Sequence, residues 1–122
     1  MALHKDLPIY KLAYDLLCLS IDITQHMPRE FKQSIGGRIR EECLSVLVLV
    51  GRANVAKNKV PHLEALLEHQ HAAELLIRVS HEKRFISTSL YARAIEMAAR
   101  VGAQAGGWRN KSLSTAAASP VA

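Results

Sequence analysis

Apolar and polar positions repeat with a helical period in four successive segments. In the first, about Leu7 to His26, the residues Ile9, Leu12, Ala13, Leu16, Leu19 or Ser20, and Ile23 fall on one side, and Lys11, Asp15 and Asp22 on the other. Asp6 is placed to cap this helix and Pro8 suits its first turn. Met27-Pro28 ends it, because a residue before proline is pushed out of the helical region. The second segment begins between Pro28 and Ser34 and runs to about Asn58. Gly36-Gly37 weakens its start by about 1 kcal/mol per glycine. Either something packs closely there, or the helix starts after them. Beyond lies the longest apolar run of the chain, residues 44–50.

At 3.6 residues per turn that run splits. Ile39, Cys43, Val46, Val50 and Asn54 make an inward stripe, Leu44, Val48, Gly51 and Val55 a second one, and Arg38, Ser45 and Arg52 a polar ridge. A helix with two apolar stripes either sits deep in a bundle or lends one to another subunit. Leu44, Val48 and Val55 are therefore the candidate oligomer interface. The third segment, about Pro61 to Glu82, places Leu63, Leu66, Leu67, Gln70, Ala73 and Ile77 on one face and Ala72, Leu75, Leu76 and Val79 on another. The fourth starts at Ser87, a good N-cap, with Ile86 and Tyr91 placed as a hydrophobic staple, and runs to about Trp108. Leu90, Ala94, Ala98, Val101, Ala105 and Trp108 line its inner face; its many Ala and Gly residues imply close approach to a neighbour.

Short turns between helices of about 20 residues, each roughly 30 Å long, predict an all-α, up-down-up-down four-helix bundle over residues 1–110. Residues 111–122 lack periodicity and read as a disordered tail. The 122 residues suit one domain, and with only six aromatics its core must be aliphatic. Cys18 and Cys43 lie in periodic apolar segments and read as reduced core residues, which with the absence of a signal-peptide pattern points to the cytoplasm. No apolar run is long enough for a membrane span, so no membrane partner is expected.

Charge changes the picture more. Sixteen Lys and Arg stand against eleven Asp and Glu, a net charge of +5. The bias is greatest from Lys83 to Lys111, where Glu96 is the one acid. Arg38 can pair with Glu42, Arg78 with Glu74, and Arg93 or Arg100 with Glu96, but the acids are too few to neutralise the face of the fourth helix. Catalytic patterns are missing. Glu68-His69-Gln70-His71 contains one Glu-x-x-His, whereas a di-iron bundle needs it on two helices. Arg78 and His81 lie too close in sequence for the Arg-to-His spacing of bundle ribonucleases of the HEPN type. The histidines of this segment fall on different sides and read as an exposed face. The chain therefore reads as a binding protein without catalytic residue, metal or cofactor.

Leu7-Pro-Ile-Tyr-Lys11 with Tyr14-Asp15, Met27-Pro28-Arg29, Gly37-Arg-Ile-Arg-Glu41 leading to Gly51-Arg-Ala-Asn54, Leu75-Leu76-Ile77-Arg78 and Gly106-Gly107-Trp108 occur in an order and spacing that resembles the accessory variability determinant (Avd) proteins of diversity-generating retroelements. More distantly, it resembles the four-helix proteins encoded in 23S rRNA intervening sequences. The resemblance covers about residues 5–110. It implies a bundle assembled into a barrel-like homopentamer. It also implies a basic surface that binds the element's reverse transcriptase and nucleic acid, RNA or DNA, during mutagenic copying. Arg38, Arg40, Arg52 and Arg78 match arginines common in such sequences; Arg93 and Arg100 join them from the helical wheel. The alternative is a structural oligomer of the intervening-sequence type with no nucleic-acid role.

Overall fold

The computed structural model describes residues 7–118. Four long helices and one short one follow in order: α1 (Pro8–Gln25), α2 (Arg29–Lys32), α3 (Ile35–Val55), α4 (Val60–Glu82) and α5 (Thr88–Ala118). α1 packs on α3 and α5, and α4 packs on the same two helices, so the long helices form a closed four-membered ring. This is the up-down-up-down bundle that the short connections predict.

The inward stripes meet in an aliphatic centre. Leu16, Ile23, Ile39, Val46, Val50, Leu63, Leu66, Ile77 and Val101 are fully buried. Burying one such Leu, Ile or Val stabilises the fold by about 1.5–3 kcal/mol. Among the described residues no aromatic side chain is buried; the rings sit at the margins, as in the Phe31–Phe85 stack (4.3 Å), which fastens α2 to the α4–α5 turn.

The helix ends follow the sequence with some corrections. Leu7, in extended conformation, is the N-cap of α1 and Pro8 its first residue, while the expected cap Asp6 lies outside the described residues. Pro28 is extended and separates α2 from α1. Gly36-Gly37 lies inside α3, and the reason is close packing. A Cβ on Gly36 would stand 3.0 Å from the Thr24 Cγ2 of α1 and 3.4 Å from the Met27 Sδ, whereas one on Gly37 would meet only the Arg40 side chain at 3.6 Å.

α4 ends in a left-handed cap. Arg84 has φ 63°, its N–H donates to the His81 carbonyl, and the Phe85 N–H donates to the Ser80 carbonyl. Ser87 caps α5 as expected, its Oγ accepting the Leu90 N–H at 3.1 Å. Tyr91 stacks on His81 (4.1 Å between centroids). α5 does not stop near Trp108. Residues 111–118, expected to be disordered, continue it; the remainder of that segment, 119–122, lies outside the described residues. Nothing between Trp108 and Ala118 is a helix breaker, which is why the helix can run on.

Close approach of α5 to α4 occurs at Gly102, where a Cβ would stand 3.0 Å from the Gln70 side chain, but Gly106 and Gly107 face open space. Cys43 is buried as expected; Cys18 is exposed on α1, contrary to expectation, because it follows Leu17 on the flank of the inward stripe. The glycine pair gives the first test. Gly36→Ala should lower the melting temperature because Thr24 must move. Gly37→Ala should raise stability by up to about 1 kcal/mol through helix propensity alone. Thermal unfolding of the two single variants checks the opposite signs.

Candidate nucleic-acid interface

The arginines singled out by the sequence occupy three kinds of environment. The first is structural. The Arg38 Nε donates to Glu42 Oε1 at 3.2 Å, one turn along α3. Arg40, half-buried, donates from Nη1 to the buried Thr24 Oγ1 at 2.8 Å and so ties α3 to α1. Arg40 thus joins two helices, whereas Arg38, itself exposed, pairs within its own helix.

The second environment is the rim of the apolar stripe. Arg52 lines a shallow groove with Tyr10, Leu47, Val48, Gly51 and Val55. Leu44, Val48 and Val55 keep 49%, 43% and 64% of their surface exposed. Tyr10 and Tyr14, stacked at 6.4 Å, extend this apolar surface onto α1, and Tyr14 too is exposed. Arg52 is thus brought together with the candidate oligomer interface and not with the other arginines.

The third environment is open. Arg93 and Arg100 lie two turns apart on one ridge of α5, and Lys111 stands three turns beyond Arg100; all three are exposed. Arg100 and Gln104 border a cleft against Pro8, Lys11, Leu12 and Asp15 of α1, so the middle of the ridge lies at the α1–α5 seam. The acid in that cleft, Asp15, is paired with Lys11 at 3.4 Å. The expected pairing of Arg93 or Arg100 with Glu96 does not form among the described residues. Arg78 is exposed on α4, and its expected partner Glu74 accepts instead from the Gln70 Nε2 at 2.6 Å, while Gln70 also donates to the Ala98 carbonyl of α5 at 3.0 Å.

Two polar features were not anticipated. Glu42 is buried, with 9% of its side chain exposed, and its Oε2 lies 2.6 Å from the His69 Nδ1 of α4. A carboxylate only accepts, so the imidazole proton sits on Nδ1 and is donated. His69 is thus an interhelical partner, although 41% of its side chain remains exposed. The spacing signal was present: Glu42 stands three residues after Ile39 and four before Val46, an inward position. The second feature is Lys59. Its ammonium donates to the carbonyls of Ala53, Asn54 and Ala56 at 2.9, 3.0 and 3.0 Å, closing the C-terminus of α3. It also lies 6.0 Å from the centre of the Trp108 ring.

The described residues contain no group of three or more His, Cys, Asp or Glu placed to hold a metal ion. Among them no helix is long and apolar enough to cross a membrane. Burial pushes the Cys43 thiol up to about 12, which makes it unreactive at neutral pH.

Burial raises the Glu42 carboxyl, but the bonds and charges of His69 and Arg38 together outweigh it and hold its pKa below the ordinary 4.5. A carboxylate depressed in the folded state adds stability above its unfolded pKa, and that stability is lost as pH falls through the folded value. Denaturant unfolding between pH 5 and pH 3 should therefore show a steeper loss for the wild type than for Glu42→Gln. Equal slopes would contradict the role given to this carboxylate.

The chain as a whole matches known proteins at one level. A comparison with curated protein sequences found no match. The family model described as bAvd-like matches residues 8–112, which takes in all four long helices up to the start of the last turns of α5. With that match spanning most of the sequence, and with a helical bundle beneath it, the chain belongs to the bAvd-like family of accessory proteins.

Proposed function

We propose that this protein is the accessory factor of a diversity-generating retroelement, binding nucleic acid and the element's reverse transcriptase through the basic ridge of α5. The observation that carries the reading is the row of unpaired cations along α5. Arg93, Arg100 and Lys111 are exposed, aligned and without an acid partner among the described residues. Family membership supports the biological setting. Arg78 adds a further exposed cation on α4. Arg38 and Arg40 are engaged with Glu42 and Thr24, and Arg52 borders the oligomer stripe. Contacts of this kind address phosphates and carry little base readout, so RNA, DNA or a hybrid are all suitable.

Self-association is part of the proposal. Leu44, Val48 and Val55 form an exposed apolar row that a second copy would cover, and a barrel-like homopentamer is the assembly we assign. A structural oligomer with no nucleic-acid role is the second reading; the same apolar row favours it, and binding separates the two. The double variant Arg93→Glu/Arg100→Glu should keep its helical circular dichroism and its oligomeric state. Its affinity for template RNA should fall about tenfold or more, and the slope of log Kd against log salt should flatten by about 2. Fluorescence anisotropy over a salt series measures both. Unchanged binding of RNA and polymerase would refute the assignment. Separately, Val48→Asp should convert the oligomer to a monomer in light scattering after size exclusion, with the fold retained because Val48 is not in the core.

A further inference from the structure

The bundle end that carries the α3–α4 turn holds a groove of its own. α5 has 31 residues against 23 in α4, so it is longer by about 12 Å at 1.5 Å per residue. Its last turns pass the α3–α4 turn. Between the two lies an open groove of about 570 Å³, bordered by Lys57, Asn58, Trp108, Lys111, Ser112 and Thr115 among others.

Three properties restrict what fits there. The first is charge: no Asp or Glu occurs from Cys43 to Leu63, or from Met97 to the end of the sequence, so both walls are free of acids. Lys57 and Lys111 are exposed and form no ion pair among the described residues. The second is rigidity. Lys59 does not offer its charge outward; it is bound to three carbonyls and fixes the turn that forms one wall. The third is the ring. Trp108, the one tryptophan of the chain, is half-buried and borders the groove beside these lysines.

An occupant must therefore be anionic and present a flat face. A duplex satisfies the lysines but keeps its base faces stacked inside. An acidic peptide satisfies the lysines but leaves the indole unused. An unpaired nucleotide satisfies both, with its base against the indole and its phosphates at Lys57 and Lys111. We propose that this groove binds an unpaired nucleotide of a single-stranded nucleic acid, a deepening that rests on the nucleic-acid reading above. The scarcity of aromatic residues argues against base stacking elsewhere on the surface; at Trp108 the setting is suited to it.

The single tryptophan is its own reporter. The full-length protein is titrated with an unstructured 15-nucleotide RNA, a blunt-ended RNA duplex, a mononucleotide and polyglutamate while tryptophan emission is followed. Emission should fall with the single strand and stay unchanged with the duplex and polyglutamate. Trp108→Leu should weaken single-strand binding about fivefold or more and leave duplex binding unchanged. Lys57→Glu, at an exposed position that does not bear on folding, should weaken single-strand binding and reduce the quenching. Single-strand binding with silent tryptophan, or with unchanged affinity in both variants, overturns the groove alone. Equal quenching by polyglutamate, or mononucleotide affinity equal to that of the strand, overturns the single-strand assignment. Failure of both RNA forms to bind overturns the groove and the reading on which it rests.

Discussion

A bundle helix can hide only the surface that faces its neighbours, and α3 carries more apolar surface than that. Ile39, Cys43, Val46 and Val50 vanish completely into the core. Leu44, Val48 and Val55 cannot follow, because they point to the outer side of the same helix. Isolated exposed valines are ordinary. A row of three that continues onto α1 through Tyr10 and Tyr14 is a patch. The placement of charge follows from this. α1 touches α3 on one flank and α5 on the other, so it stands between the apolar patch and the cationic ridge. A second copy seated on α3 would meet α1 before it reached Arg93 and Arg100.

Arginines that look alike in the sequence differ because of what lies one helix away. Arg40 is committed to Thr24, sixteen residues earlier, and Arg38 to a carboxylate that is itself sunk between α3 and α4. Each guanidinium donates to a buried acceptor, Thr24 or Glu42, where such a bond counts for more than on an open surface. Arg93 and Arg100 have neither burial nor an acid. Their field is screened by water and salt but remains directed outward, the condition for recruiting a polyanion.

Much of the fold was legible because it depends on periodicity. The inward faces of α1, α3, α4 and α5 were readable as far as single residues such as Ala73, Ala98 and Val101. The rest depends on contacts between segments, which periodicity does not encode. Glu42 read as a surface partner of Arg38, since nothing local reveals His69 opposite. Cys18 read as core from its neighbours, although one residue of rotation carries it outside. Ser, Thr and Ala from Ser112 onward have no apolar period, so the sequence does not show that α5 continues, yet none of them stops a helix that is already propagating. Of the candidate site, the bias of residues 83–111 was visible, but the separation of committed from open arginines was not.

The α3–α4 turn shows how a backbone requirement can shape a surface. The last carbonyls of α3 have no partner within the helix, and they form the negative end of its dipole. α4 begins at once, with Pro61 in its first turn and the Val60 N–H directed to the Asn58 Oδ1 at 3.3 Å. Lys59 folds back and satisfies three carbonyls with one ammonium. That choice fixes the path of residues 56–59 and places the ammonium of Lys59 6.0 Å from the Trp108 ring centre. Gly102 against Gln70 sets the close approach of α5 to α4 higher up. At this end the ammonium that closes α3 also faces the Trp108 ring of α5, so one side chain serves both a helix terminus and the wall of the groove.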